Sequence, residues 1–273
     1  MGFPPGHYHS PIPDHAELLR REAQLWAPRE HLAGVDMQVS QQLALLERVR
    51  PFVGAIDYPV DAPPEPDLYF YANGMFPVLD AEFLFGLLCH LKPRRVVEVG
   101  SGFSSLVMAD VNRRMLGGAM HVTCIEPYPR DFLVAGVKGI TRLLPSRLEE
   151  VDITLFDALE AGDVLFIDSS HVSKTGSDVN FLFFELLPRL KPGVYVHLHD
   201  IFLPDEYPKP WVLGEERSWN EQYMLHAFLM FNREWRTVWM AHYMLSRHLD
   251  AVSAVFPRCP ALGTGGSFWM QRS

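Results

Sequence analysis

From Asp80 to the end of the chain, short unbroken apolar runs take turns with stretches whose apolar residues recur every three or four positions. Short runs rich in β-branched residues mark strands buried on both faces, and the wider spacing marks amphipathic helices. RRVVEVG (94–100), AMHVTCIEP (119–127), GITRLLP (139–145), DVLFIDSSH (163–171) and GVYVHLHDIF (193–202) therefore read as strands. WRTVWMA (235–241) and GSFWMQR (266–272) close the sheet. Helices are expected over 80–91, 103–115, 179–190 and 219–232, with a helical stretch near 130–136. In the last helix, Met224, Leu225, Phe228 and Phe231 have core spacing. Strands separated by helices imply an α/β fold: a seven-stranded, mostly parallel sheet with helices on both faces.

Residues 1–79 carry a different pattern, interrupted again and again by proline. Asp14 can cap a helix over 15–26 that turns Leu18, Leu19, Ala23 and Trp26 to one side. A second helix is expected over about 36–50, through Met37, Leu43, Leu46 and Arg50. We read 1–79 as a helical, Pro-rich N-terminal cap on a domain spanning 80–273.

Composition narrows the function classes. The 273 residues are 48% hydrophobic and 21% charged, which is ordinary globular composition. The net charge of −9 argues against a general nucleic-acid partner, which needs a basic face to displace counterions. The three cysteines, Cys89, Cys124 and Cys259, are far apart and form no CxxC pair, so neither a zinc knuckle nor a disulfide framework is indicated. The N-terminus has neither the basic nor the apolar region of a signal peptide. The longest apolar stretch, Phe83 to Leu91, is too short to span a bilayer. The expectation is a cytoplasmic protein with no membrane partner, for which a homo-oligomer is one compatible state.

The segment VVEVGSGFSS (96–105) is a strand-to-helix turn. Gly100 and Gly102 let the backbone turn tightly around a ligand, with Ser101 between them on the cofactor side, and Ser104 or Ser105 suits the N-terminus of the following helix. A dinucleotide site wants a third glycine in GxGxxG, and here that position is Ser105. Glu98 lies inside the strand and is expected among the cofactor contacts. Glu126 ends the next strand, where an acidic group can accept both ribose hydroxyls of a nucleoside. This E-x-G-x-G turn, followed by an acid one strand later, resembles class I S-adenosylmethionine-dependent methyltransferases. The resemblance implies that the turn wraps the methionine part of the cofactor and that Glu126 holds its ribose.

Asp168 and Ser169 leave the fourth strand, and His199 and Asp200 the fifth, at the carboxyl edge where open α/β sheets bind ligands. On a strand His197 and His199 share a face and Asp200 points the other way. GHYHSPIPD, YFYANGMF, EVGSGFSS, LFIDSSH, GSDVN, HLHDIFLPDEYP, WNEQY and GSFWM are together similar to a family of bacterial class I methyltransferases often found among sugar or natural-product biosynthesis enzymes. The similarity spans nearly the whole chain. It implies a Rossmann-like methyltransferase fold, S-adenosyl-L-methionine as cofactor and a small-molecule acceptor.

Metal-dependent catechol-type O-methyltransferases offer a more distant comparison. They place an Asp at the end of the fourth strand, a Lys base three residues later, and an Asp-Asn pair after the fifth strand. Asp168 and Asp200 match the two acids, His171 stands at the Lys position, and Ile201 stands where the Asn would be. One ligand of that pattern is therefore missing, and His199, or a residue of the cap or of WNEQY (219–223), is a candidate replacement. Two carboxylates favour Mg²⁺ or Mn²⁺, while an added imidazole also suits Zn²⁺ or Fe²⁺.

His171 is the candidate general base, because an imidazole with an ordinary pKa of about 6.5 accepts a hydroxyl proton at neutral pH. Asp168 is a metal ligand, a partner of the cofactor's amino group or a helix cap, and Ser169 joins it on the cofactor side. Asp200 and His199 are catalytic or metal-binding, or part of a buried network. His197 reads as a core histidine. Tyr71 and Asn73 line an acceptor pocket or pack the cap, and Trp219 and Asn220 follow the fifth strand where specificity loops lie. The reaction expected is methyl transfer to a small-molecule oxygen. N-methylation and a nicotinamide-dependent oxidoreductase stay open as alternatives.

Overall fold

The computed structural model describes residues 2–262 and 264–273. The N-terminal segment begins with α1 (His15–Arg20), capped by Asp14 Oδ1, which accepts from the Ala16 and Glu17 N–H groups. The single helix expected over 15–26 is broken at Arg21, and α2 (Glu22–Leu25) follows. Neither piece buries a residue, so the inward stripe expected there is not formed. Instead, the Trp26 indole N–H donates to the Tyr207 carbonyl 2.8 Å away, tying this segment to the loop after the fifth strand.

α3 (Val39–Val53) starts later than expected, because Gln38 has a left-handed backbone with φ 54°. Its Leu45, Leu46, Val49 and Val53 are buried. They pack on α4 (Val78–Leu91), which is buried at every position from Val78 to Cys89. The expected domain boundary at 79/80 falls in the first turn of α4. A helix buried all round must sit in a core, and α3 therefore completes that core. Gln42 fastens the join: its amide donates to the Met37 carbonyl, and its Oε1 accepts from the Met240 N–H.

The elements that follow are β1 (Arg95–Val99), α5 (Phe103–Arg114), β2 (His121–Ile125), α6 (Asp131–Ala135), β3 (Arg142–Leu144), α7 (Thr154–Asp157) and β4 (Val164–Ile167). After them come α8 (Asp178–Phe181), β5 (Tyr195–Leu198), α9 (Glu221–Leu229), β6 (Trp235–Met240), α10 (Ala241–Arg247), α11 (Leu249–Val255), α12 (Cys259–Leu262) and β7 (Phe268–Arg272). The helix expected over 179–190 is instead α8 continued by a wider π-turn and a 3-10 turn. The helices between β6 and β7 had no counterpart in the sequence reading.

The strands form one seven-stranded sheet in the order β3-β2-β1-β4-β5-β7-β6, with β7 antiparallel to both neighbours. β4 is buried at all four positions, and β1 and β5 at all but the first. The order reverses between β1 and β4. That switch point opens a crevice outside the carboxyl ends of the central strands. Both motif-bearing turns, after β1 and after β4, meet there.

Because α3 completes the core, Leu46→Ala should destabilise the protein by about 2–5 kcal/mol, measured as a lowered urea midpoint. An effect below about 1 kcal/mol would mean that α3 is an outer cap.

Candidate active site

The turn after β1 depends on Gly100. Its φ is +78°, and a Cβ there would lie 1.8 Å from the Asp168 carbonyl oxygen. Only glycine permits this approach, and the approach puts the β1 turn against the residue leaving β4. The Asp168 N–H donates to the Val99 carbonyl at 2.8 Å, which fixes the register at this edge. Ser101 N–H donates to Glu126 Oε2 at 3.1 Å, and Tyr128 N–H to Glu126 Oε1 at 2.8 Å. Glu126 thus faces the turn from the end of β2. The Ser101 hydroxyl is buried with no partner.

Glu98 does not face this space. It is fully buried beneath the turn, where it accepts from the Ser104 hydroxyl at 2.6 Å, from the Ser105 hydroxyl and from Cys124 Sγ. Burial pushes its pKa up to about 7, although the serine hydrogen bonds pull the other way. The expectation that Glu98 contacts the cofactor is corrected: it organises the turn from below. Ser104 lines the cleft, but its hydroxyl is committed to Glu98.

The strands end earlier than expected, so Asp168, Ser169 and His171 lie on the loop after β4, and His199 and Asp200 on the loop after β5. His171 and Asp200 both have left-handed backbones, with φ of 60° and 57°. Side chains with a Cβ adopt this conformation rarely, and the strain is held by surrounding contacts. The bend at Asp200 overturns the prediction that its carboxylate points away from His199: Asp200 Oδ1 lies 3.4 Å from His199 Nδ1. His171 Nε2 lies 3.3 Å from Asp168 Oδ1 and 3.6 Å from Asp200 Oδ2. One donor atom each from Asp168, His199 and Asp200 falls within a 4.8 Å cluster.

Behind this cluster stand two more carboxylates: Asp80, which the sequence reading did not assign, and Glu221, which it placed only within WNEQY after the fifth strand. Glu221 Oε2 sits 2.9 Å from His171 Nδ1, and its Oε1 accepts from the Ser169 hydroxyl. Asp80, on α4, lies 3.3 Å from His199 Nε2 and accepts from the Gly266 and Ser267 N–H groups. Burial alone would lower the His171 pKa, but the hydrogen bonds and charges of Asp168 and Glu221 outweigh it and raise it to about 10. His171 is therefore not the ordinary imidazole the sequence reading assumed. His197 is a core residue, stacked on Phe166 at 3.7 Å and bonded to Ser267 Oγ at 2.9 Å.

These groups open into a cleft of about 1190 Å³, and a hollow of about 400 Å³ adjoins it past Glu126. Tyr71 lines the cleft with its ring while its hydroxyl donates to Glu82 at 2.6 Å. Trp219 lines it beside His171, with ring centroids 4.2 Å apart. Asn73 and Asn220 do not line it. The Asn73 amide bonds the Phe70 and Phe76 carbonyls, and its oxygen accepts from the Met75 and Phe76 N–H groups. Asn220 Oδ1 accepts from the Ser173 N–H. Both asparagines are corrected from acceptor contacts to loop fasteners. Arg217, also unassigned before, stacks on Trp211 at 4.0 Å and Trp219 at 4.5 Å along the cleft wall.

Residues 97–201, from within β1 to just past Asp200, match the family described as methyltransferase domain. The chain therefore carries a methyltransferase domain over this segment. It is 39% identical over 165 residues to an uncharacterized protein of Archaeoglobus fulgidus, covering 58% of this chain and 74% of that protein. Among solved structures, it resembles the O-methyltransferase TomG of Streptomyces achromogenes, involved in tomaymycin synthesis and solved with S-adenosylmethionine. Identity there is 15% and the TM-score 0.42, over 94% of this chain and 96% of that one. It also resembles an O-methyltransferase of Bacillus cereus solved with S-adenosylhomocysteine, at 12% identity and a TM-score of 0.44, over 93% and 96% of the two chains. In this methyltransferase the matched segment carries both motif turns. Asp80 and Glu221 come from outside it. Among the described residues, no helix is long and apolar enough to cross a membrane.

Glu98 gives this methyltransferase a pH signature. The folded state raises its pKa from 4.5 to about 7, so its protonated form is favoured by folding. The stability tied to that proton is complete below about pH 4.5 and lost as pH rises through about 7, a change on the order of 3 kcal/mol. Glu98→Gln should flatten the urea-midpoint profile between these values. An unchanged slope would place the titration elsewhere.

Proposed function

We propose that this methyltransferase transfers the methyl group of S-adenosylmethionine to a hydroxyl oxygen of a small molecule, such as a sugar or secondary metabolite, with a divalent cation at Asp168, His199 and Asp200. One observation carries the reading. Four carboxylates (Asp80, Asp168, Asp200 and Glu221) surround two imidazoles (His171 and His199) at one end of the cleft. Even with both imidazoles protonated, the carboxylates exceed them by two charges, of which Arg217 on the cleft wall offsets one, and a partly buried excess of that kind calls for a cation.

The residues fit the cofactor. The Gly100–Gly102 turn lines the cleft. Each Glu126 oxygen accepts one backbone N–H, which leaves lone pairs for ribose hydroxyls. The hollow past Glu126, walled by Tyr128 and Leu148, has room for a flat base. Bound S-adenosylmethionine supplies a methyl group on a sulfonium, a leaving group that needs no activation. What remains for the protein is to orient the acceptor and take its proton.

His171 has the geometry for the proton. Glu221 can only accept, so it holds the proton on Nδ1 and leaves Nε2 toward Asp168 and Asp200. A cation held by those two carboxylates would offset the part of that charge that comes from Asp168, while Glu221 stays against Nδ1. Nε2 is then free to take the acceptor's hydroxyl proton, with Glu221 stabilising the imidazolium that forms. Trp219 packs against the ring and fixes its plane.

Two measurements test this. His171→Ala should leave S-adenosylhomocysteine affinity nearly unchanged and lower turnover about 10²–10⁴-fold; EDTA should abolish turnover, and Mn²⁺ or Mg²⁺ should restore it. Full turnover in either case removes that part of the mechanism. Glu126→Ala should raise the Kd for S-adenosylhomocysteine about 10- to 100-fold by calorimetry, from loss of charge-assisted hydrogen bonds. An unchanged Kd would move the ribose elsewhere.

A further inference from the structure

We propose that Asp80 is a positioning residue. It holds His199 with its proton on Nε2, so that Nδ1 acts as the third ligand of a two-carboxylate, one-imidazole site that takes Mn²⁺ in preference to Mg²⁺. The proposal rests on the metal-assisted reading above and adds which ion the site prefers and what sets that choice.

Asp80 is 1% exposed and His199 2%. The Asp80 carboxylate is over-determined. Its Oδ1 accepts from the Ser267 N–H at 3.1 Å, and its Oδ2 from the Gly266 N–H at 2.8 Å. The same Oδ2 lies 3.3 Å from His199 Nε2. A carboxylate anchored by two N–H donors presents only acceptors, so the proton of the neutral ring belongs on Nε2. The Nδ1 lone pair then points toward Asp200 Oδ1 at 3.4 Å and Asp168 Oδ1 at 3.9 Å. Two carboxylate oxygens and a lone pair directed at one spot repel one another unless a positive charge lies between them, either a second proton on the ring, which the Asp200 and Asp168 carboxylates favour, or a cation that displaces it. An imidazole backed by a carboxylate is also the arrangement that orients a histidine ligand and raises its basicity.

The choice of ion follows from the donors. Mg²⁺ prefers an all-oxygen octahedron and keeps its waters, whereas imidazole nitrogen suits later first-row ions. Mn²⁺ accepts the two carboxylates and tolerates the nitrogen. The ring is held on its other side by Phe76, with centroids 5.2 Å apart, so His199 cannot swing out in favour of water.

The test uses the full-length, metal-free protein, titrated with MnCl₂ or MgCl₂ by calorimetry with no acceptor present. Wild type should bind one Mn²⁺ at least about tenfold more tightly than Mg²⁺. Asp80→Asn leaves at most one oxygen for three donors and removes the charge behind the ring. It should weaken Mn²⁺ binding about 10- to 100-fold and collapse the Mn²⁺/Mg²⁺ ratio. His199→Asp should reverse the preference toward Mg²⁺. In that background Asp80→Asn should no longer weaken Mn²⁺ binding, a result that a merely structural role for Asp80 would not give.

An Asp80→Asn variant with the wild-type Mn²⁺ Kd, or with the same loss in the His199→Asp background, overturns the proposal and leaves the metal-assisted reading intact. Absence of divalent binding by wild type overturns both. If Asp80→Asn fails to fold, imidazole ¹⁵N spectra of Cd²⁺-loaded wild type decide. Nδ1 coordinated with Nε2 protonated supports the assignment, and the reverse overturns it.

Discussion

The structure at the carboxyl edge of the sheet is governed by one electrostatic constraint: four carboxylates brought around two imidazoles where little water reaches. Carboxylates avoid burial unless they are paired, hydrogen-bonded or neutralised. Here each has a fixed partner. Asp80 takes two backbone N–H groups, Glu221 takes a serine hydroxyl and a ring nitrogen, and Asp168 and Asp200 share the two histidines. The two that remain partly open to the cleft, Asp168 and Asp200, flank His171 Nε2. The outer pair holds the rings, and the inner pair creates the field in which, on the proposed reading, a cation would be held and a proton moved.

The fold exists around that arrangement in a concrete sense. The reversal of strand order between β1 and β4 provides the crevice, but the close fit comes from backbone conformations that cost energy. Gly100 bears none of that cost, because it has no Cβ to collide with the Asp168 carbonyl. His171 and Asp200 do bear it, at about 1–3 kcal/mol each. Hydrogen bonds hold both bends: the His171 carbonyl accepts from the Asn220 and Glu221 N–H groups, and the Ile201 N–H donates to Gly266. The strained residues are thus the ones whose side chains must converge, which is where strain is expected to be tolerated.

Much of this was legible in the sequence. Each expected strand is present, because a run such as VLFI can only be a buried strand once its flanks are polar. Their ends were overestimated, because hydropathy cannot see that His171 and Asp200 turn into left-handed backbone. The GSG turn, Glu126, Asp168, His171, His199 and Asp200 were all assigned to the site, since each follows directly from a motif at a strand end. Glu98 was misplaced for a geometric reason: an acid in a strand looks available until its two serine partners in the next helix turn are seen. Asn73 and Asn220 were misplaced because loop asparagines serve backbone groups as readily as ligands. Asp80 and the contact of Glu221 with His171 were missed because the partners lie 119 and 50 residues away, and no local spacing encodes such contacts. The one available signal was the placement of each acid in the first turn of a helix next to a large apolar face.

The departure of this chain from the catechol-type pattern has a structural logic. Where that pattern has an asparagine ligand, this chain has Ile201, whose side chain is buried and whose N–H is bonded to the Gly266 carbonyl. Position 201 is therefore committed to the β7 approach and cannot face a metal. The same short segment, Gly266–Ser267, donates two N–H groups to Asp80, and Asp80 in turn orients His199. A Cβ on Gly266 would lie 3.1 Å from the Asp200 N and Cα, so this backbone also sets how closely Asp200 is packed. The burial of position 201 and the placement of His199 beside Asp168 and Asp200 are thus two consequences of one hydrogen-bonded patch. That patch joins α4, the β5 loop and the entry to β7. It draws the N-terminal part of the chain into the chemistry of a site whose recognisable motifs all lie further along.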